Sequence, residues 1–240
     1  MAEQALWDGV DSWADFALTG TSNFAFDHVA SPGLPYRGGA GRLTSNWSPT
    51  PDPDFDAYAE FTPGDNRLQM HASCAMRFAD ATFGGVRKGP ILIVAKDDVG
   101  TDLGVVGQLF LDSAMMLYGA NSDLLLDLSA FTNRWLIYDI HCRTKGLAEP
   151  YTVSMTVNIF EEAGAGLSLL KSLEMGLYDG ITDLENVYRI HRIRFGFEEM
   201  DSATDTLDMW VDEVRAHRLS GAYPVSRLPP SRRSMWPTSL

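Results

Sequence analysis

Cysteine is scarce in this chain: 240 residues contain two, Cys74 and Cys142. A disulfide framework is therefore not the source of its stability, and two isolated thiols do not make a zinc site by spacing. Each falls on the apolar phase of an alternating run, where a free cysteine serves as a small hydrophobe. Long apolar runs are missing as well. No stretch approaches 18 apolar residues, so no transmembrane helix is expected. The opening MAEQALWDGVDSW has no charged region followed by an apolar run, so no signal peptide is expected. There is no phosphate-cradling glycine loop and no HExxH spacing, which speaks against nucleotide binding and a zinc protease. Nothing resembles a nucleophile elbow.

Basic charge is also in short supply. Nineteen Lys and Arg stand against 32 Asp and Glu, a net charge of −13. Such a field repels nucleic acid, so no nucleic-acid partner is expected. The shortage is uneven. Residues 218–240 carry Arg218, Arg227, Arg232 and Arg233 and no acid, which leaves the preceding residues at 15 basic against 32 acidic side chains. An acidic body with a basic tail can steer that tail toward another acidic surface.

What is present is alternation. In Leu68–Phe78 the residues Leu68, Met70, Ala72, Cys74, Met76 and Phe78 alternate with Gln69, His71, Ser73, Ala75 and Arg77. This period of two predicts a strand with one face in a core. Arg134–Arg143 and Tyr151–Ile159 repeat the pattern. The run Pro90–Ala95 predicts a strand covered on both faces. Val105–Leu111, Met115–Tyr118 and Asp123–Leu128 predict a meander with turns at Asp112-Ser113 and Gly119–Ser122. Ser168–Met175, Arg189–Phe197 and Asp208–His217 complete the body, with weaker candidates at Ala5–Trp13 and Asn23–Phe26. Eleven to thirteen short strands without a period of 3.6 define an all-β antiparallel sandwich or barrel. Ser31–Gly41, the Pro-rich Trp47–Phe55 and Ala222–Leu240 read as irregular. The organisation expected is a sandwich over residues 1–218 and an extended Pro/Arg-rich arm over 219–240.

The order of features resembles the concanavalin A-like (laminin G-like) jelly roll. The matching segments are Asp8-Gly9-Val10-Asp11, the Trp-led strand Asn133-Arg134-Trp135-Leu136-Ile137-Tyr138-Asp139-Ile140, and Tyr151–Ile159. The closing strands Ile193–Phe197 and Met209-Trp210-Val211-Asp212-Glu213-Val214-Arg215-Ala216 complete the match. The resemblance covers about residues 5–218 and implies a sandwich; the arm is not typical of it. It leaves function open, since the family includes lectins, glycan-binding modules, polysaccharide hydrolases and lyases, and structural proteins of viruses and phages.

The chemistry on offer is thin. Paired glycosidase carboxylates need one strand face. Glu161-Glu162 and Glu198-Glu199 are adjacent residues and read as solvated turn charge. Asp212-Glu213 reads as a tie for the sheet end or a terminal loop. A lyase would need His141 with Arg143 and His71 with Gln69 and Arg77 to share a face. Calcium could occupy the loops around Asp97-Asp98 and Asp102, or Asp201, Asp205 and Asp208, without the usual spacing. No catalytic residue, cofactor or metal ligand is assigned. Trp135 and Trp210 read as core, while Trp47 is the better exposed contact for a sugar. Trp236 and Met235, with Arg227, Arg232 and Arg233, form the expected partner-binding arm. The expected function is a non-enzymatic structural component of a tailed-phage virion, a capsid decoration or tail/fibre protein assembled in the host cytoplasm. Its partners would be copies of itself and other virion proteins, with no membrane. The alternative is a carbohydrate-binding module with Trp47, His71, His141 and Arg143 as glycan contacts, and the third reading is a polysaccharide lyase or hydrolase.

Overall fold

Alternation over long runs turns into long strands. The computed structural model describes residues 4–7, 17–19, 24–29, 40–45, 55–61, 69–82, 88–96, 102–119, 124–145, 152–163, 166–175, 189–200 and 206–217. Among them lie fifteen strands: β1 (Gln4–Trp7), β2 (Ala17–Thr19), β3 (Phe24–Val29), β4 (Ala40–Ser45), β5 (Phe55–Phe61), β6 (Gln69–Thr82), β7 (Lys88–Lys96), β8 (Asp102–Leu111), β9 (Met116–Tyr118), β10 (Leu124–Asp127), β11 (Leu136–Lys145), β12 (Thr152–Ala163), β13 (Gly166–Met175), β14 (Arg189–Met200) and β15 (Thr206–His217). A single 3-10 turn, Leu128–Phe131, joins β10 to the approach of β11. No helix among the described residues is long and apolar enough to cross a membrane.

The strands form two antiparallel sheets. The larger runs β13-β12-β11-β6-β15-β4-β3, and β1 also pairs with β15. The smaller runs β10-β9-β8-β7-β14-β5-β2. β11 and β6 face β14, β12 faces β8, and β13 faces β10, so the sheets lie face to face. The core fills the space between them. From the larger sheet come Cys74, Met76, Leu136, Tyr138, Ile140, Cys142, Met155, Val157, Ile159, Met209 and Val211. The smaller sheet supplies Leu109, Leu111, Ile193, Phe195 and Phe197. Each such side chain contributes roughly 1.5–3 kcal/mol through removal from water. Both cysteines are free and buried, as their apolar phase predicts. Burial pushes the Cys142 thiol up to about 12 and raises Cys74 further.

The turn expected at Asp112-Ser113 is present. Asp112 Oδ1 accepts from the backbone N–H groups of Ala114 and Met116, both at 2.9 Å, and Met115 takes φ 62°. A short aspartate fixing its own turn is the reason this residue type sits there. Three strands lie where alternation gave no expectation: β2, β4 and β5. β4 begins inside the segment read as irregular, and β5 begins at the end of the Pro-rich one. Glu161 and Glu162 prove to be strand residues of β12, and Glu198 and Glu199 lie in β14. The arm, residues 219–240, and Trp47 lie outside the described residues, as do the expected calcium loops apart from Asp102 and Asp208, which are in strands.

Candidate functional site

β11 shows how one strand builds two surfaces. Leu136, Tyr138, Ile140 and Cys142 are fully buried between the sheets. The other parity, Ile137, Asp139, His141 and Arg143, therefore belongs to the outer face of the larger sheet. Register carries that face across five strands.

The first outer row joins Asp212, Ala75, Ile137, Phe160 and Leu169 of β15, β6, β11, β12 and β13. It is apolar in the middle. Ala75 and Ile137 are buried even though they face away from the core, because Trp135, Phe160 and Leu167 pack against them. Leu169, at the edge strand, is 53 % exposed. Trp135 thus lies just before β11 and on the outer side rather than between the sheets, which corrects the expectation that it is core. Trp210 is buried as expected, but its Cα partner is Arg77, an outer-face residue.

The second row joins Arg215, Ser73, Asp139, Asn158 and Ser172. Ser172 Oγ donates to Asn158 Oδ1 at 2.7 Å, and the Asn158 amide donates to Asp139 Oδ2 at 3.5 Å. Half-buried Asp139 has its carboxyl raised from the ordinary 3.8 to about 6 by burial, with the Asn158 hydrogen bond offsetting part of that cost. The third row joins His217, His71, His141, Thr156 and Glu174. Beyond it, Gln69, Arg143 and Ser154 stand in register. Successive rows are about 7 Å apart, two residues along each strand. The face therefore runs from apolar at one end to polar and histidine-bearing at the other.

The apolar end is held by the turn that feeds β11. Asn133 sits at φ 61°, in the left-handed region that asparagine tolerates better than most residues. Its N–H donates to the Phe78 carbonyl at 2.8 Å, and its Oδ1 accepts from Arg77 at 2.9 Å. The Arg77 guanidinium lies 5.7 Å from the Trp210 ring centroid. Arg134 pairs with Glu161 and lies 5.0 Å from the Phe131 ring. These ties set where Trp135 enters the face.

The smaller sheet presents a different outer surface. Arg194 lies 4.4 Å from the Tyr58 ring centroid and pairs with Glu60 at 2.6 Å. Gly196, at φ 140°, stands opposite Tyr58 in register, a backbone angle that favours glycine. This cluster has its charges matched internally and offers less to a ligand.

Of the residues singled out in the sequence, His71, His141, Arg143 and Gln69 are brought onto one face by the pairing of β6 with β11. Arg77 stands away from them, tied to Asn133. Asp139, Asn158 and Phe160 were not singled out, and His217 was read only as a strand histidine without metal-ligand spacing. His217, Asp139 and Asn158 lie within strands legible in the sequence and Phe160 one residue past the predicted end at Ile159, but only register shows that they share this surface. Asp212 is fully buried and lies at the irregularity between Asp212 and Arg215. There β15 passes from pairing with β4 to pairing with β1. It marks a joint within the sheet.

The two face-to-face antiparallel sheets make an all-β sandwich, the fold class the sequence predicts. No family model and no curated protein matches the sequence. Similar solved structures include the binding domain of botulinum neurotoxin DC in complex with SialylT. The match has 13 % identity and a TM-score of 0.46, and covers 88 % of this chain and 45 % of that one. Arcelin-5, a lectin-like defence protein from Phaseolus vulgaris, is 10 % identical with a TM-score of 0.42, over 91 % and 98 % of the two chains. The VIP36 exoplasmic/lumenal domain in its Ca2+/Man3GlcNAc-bound form is 8 % identical with a TM-score of 0.35, over 98 % and 96 %. The chain spans less than half the length of the toxin domain it matches. Likenesses at this level carry no argument about what the chain binds.

Proposed function

We propose that this chain is a carbohydrate-binding jelly-roll domain whose glycan lies on the outer face of the larger sheet. One observation carries the reading. An apolar patch of Trp135, Ile137 and Phe160 lies beside a hydrogen-bonding row of Ser73, Asp139, Asn158 and Ser172 on the same sheet face. A sugar ring has the matching two-sidedness: its C–H face packs on aromatic and aliphatic surface, and its hydroxyls donate to carboxylates and exchange hydrogen bonds with amides. A glycan array should return a defined set of ligands. Phe160→Ala and Asn158→Ala should each weaken their binding, while Arg194→Ala on the other sheet should not. An array without hits, or hits that survive both outer-face substitutions, would refute it.

The register of His71 opposite His141, with Arg143 in the next row, supports a second reading: a polysaccharide lyase using the same face. Polyuronates would then gain the ultraviolet absorbance of an unsaturated uronic acid, and His141→Ala would remove that gain.

A finer reading places this body in a tailed-phage particle, docked through residues 219–240. Its support is the charge asymmetry between the acidic body and the arm of Arg227, Arg232 and Arg233, with Met235 and Trp236 as anchors. Deleting residues 220–240 should then leave the domain folded and abolish assembly; unchanged oligomerisation or particle binding would sink that reading.

A further inference from the structure

β13 is an edge strand of the larger sheet, with β12 as its neighbour. An edge strand turns a row of unpaired backbone N–H and C=O groups outward and can template pairing with another chain. On the same flank of the sandwich β13 meets β10, the edge of the smaller sheet. β10 is four residues long and its register shifts between Leu124 and Leu126, so it offers little ladder to a newcomer. β13 is ten residues long and has no such protection from length. Its composition adds to the exposure. From Ala163 to Leu173, AGAGLSLLKSL, Lys171 is the sole charged residue. Leu167–Leu173 without that lysine is uncharged, proline-free and leucine-rich, the composition that favours edge-to-edge pairing.

Two features of β13 oppose such pairing. Ile159 stands opposite Lys171, but Phe160 stands opposite Leu169. Leu170 is therefore an extra residue in the ladder, a bulge that bends the strand and increases its twist. Lys171 is the second feature. Directly opposed residues of an antiparallel pair share a face, and Ile159 is fully buried on the inner face. Lys171 thus takes the inner phase of an edge strand and is half-buried at the rim of the core. The next inner position, Leu173 opposite Val157, is apolar. A core alone would accept a leucine or valine at 171 as readily.

We infer that Lys171, beside the Leu170 bulge, closes the β13 edge against a second copy of this chain. A second copy is the partner to be excluded because it brings the same apolar window, and a two-fold contact sets that window against its twin. Pairing β13 with its twin would continue the sheet and carry both Lys171 side chains beneath the joined strands. Each ammonium would lose water, and two like charges would approach. Lys171 lies off the proposed glycan face, so the inference stands apart from that reading.

The test compares the full chain with Lys171→Val by sedimentation over a range of concentrations. Hydrogen exchange of the β13 amides is followed in the same samples. Lys171→Val should shift the mass above that of the unaltered chain, increasingly with concentration, and should slow exchange at Leu167–Leu173 in parallel. Lys171→Arg and Lys171→Glu, which keep a charge at the edge, should sediment as the unaltered chain does. Circular dichroism checks folding, and Lys171→Thr replaces the valine variant if that unfolds. An uncharged variant with the mass of the unaltered chain overturns the inference. So does association that leaves β13 exchange unchanged, or concentration-dependent protection of β13 in the unaltered chain.

Discussion

The two faces of the larger sheet are made by the same strands and obey different rules. The inner face is close to uniform: along β11 the described inward residues, Leu136, Tyr138, Ile140 and Cys142, are buried and apolar except for the Tyr138 hydroxyl. The outer face is graded, from Trp135, Ile137 and Phe160 through Asp139 and Asn158 to His141. An inner face needs only hydrophobic surface of the right volume, and any residue of the correct parity serves. The requirements of a core do not explain a gradient on the outer side; the proposed glycan would.

The contrast predicts unequal losses. Truncation in the core should cost most. Phe195→Ala, at a fully buried ring, should lower unfolding stability by about 3–5 kcal/mol in a urea titration. Asn158→Ala on the outer face should cost far less, on the order of 1 kcal/mol. Equal losses would mean that the outer face is structural.

Next in size is a pH effect that belongs to the outer face. The native Asp139 carboxyl is raised from 3.8 to about 6, so the native state holds its proton more tightly than the unfolded chain. The stability it contributes is complete below about pH 4 and is lost as pH rises through about 6, a change of about 2–3 kcal/mol. Asp139→Asn should flatten this slope and leave the chain more stable at pH 7. Unfolding midpoints between pH 4 and 7 decide it, and a variant with an unchanged slope contradicts it.

A lapse of the inner face among the described residues gives a smaller effect. Tyr138 Oη is buried without a hydrogen-bond partner, and burial raises its ionisation beyond the ordinary tyrosine range. An unsatisfied buried hydroxyl costs about 1–3 kcal/mol. Tyr138→Phe should therefore stabilise the protein by about 1 kcal/mol, and a loss of stability would reveal a partner. The smallest effect is kinetic. Cys74 and Cys142, buried and held as thiols, should resist alkylation in the native protein and react at the rate of global unfolding.

The same contrast explains what could be read from the chain. β6, β11 and β12 are legible because their alternation runs long enough to exclude other periods. β4, AGRLTS, has one large apolar residue, and β5, FDAYAEF, alternates through small alanines beside a Pro-rich stretch, so neither stood out. β2 is only three residues long. The inner face follows from parity alone. The outer face needs register, which no single strand contains: His71, His141 and His217 lie far apart in the sequence, and pairing order alone sets them side by side. That is why the histidine pair was legible only as a condition on two strands meeting, and His217 only as a strand residue with no neighbour in view.

The measurement closest to the central claim maps a glycan onto the two outer faces. A ligand from the array is titrated into isotopically labelled protein while backbone amide shifts are followed. The account predicts shifts at Ser73, Ala75, Ile137, Asp139, Asn158 and Phe160 and none at Tyr58, Glu60 or Arg194. Shifts confined to the smaller sheet, or to neither sheet, would contradict it.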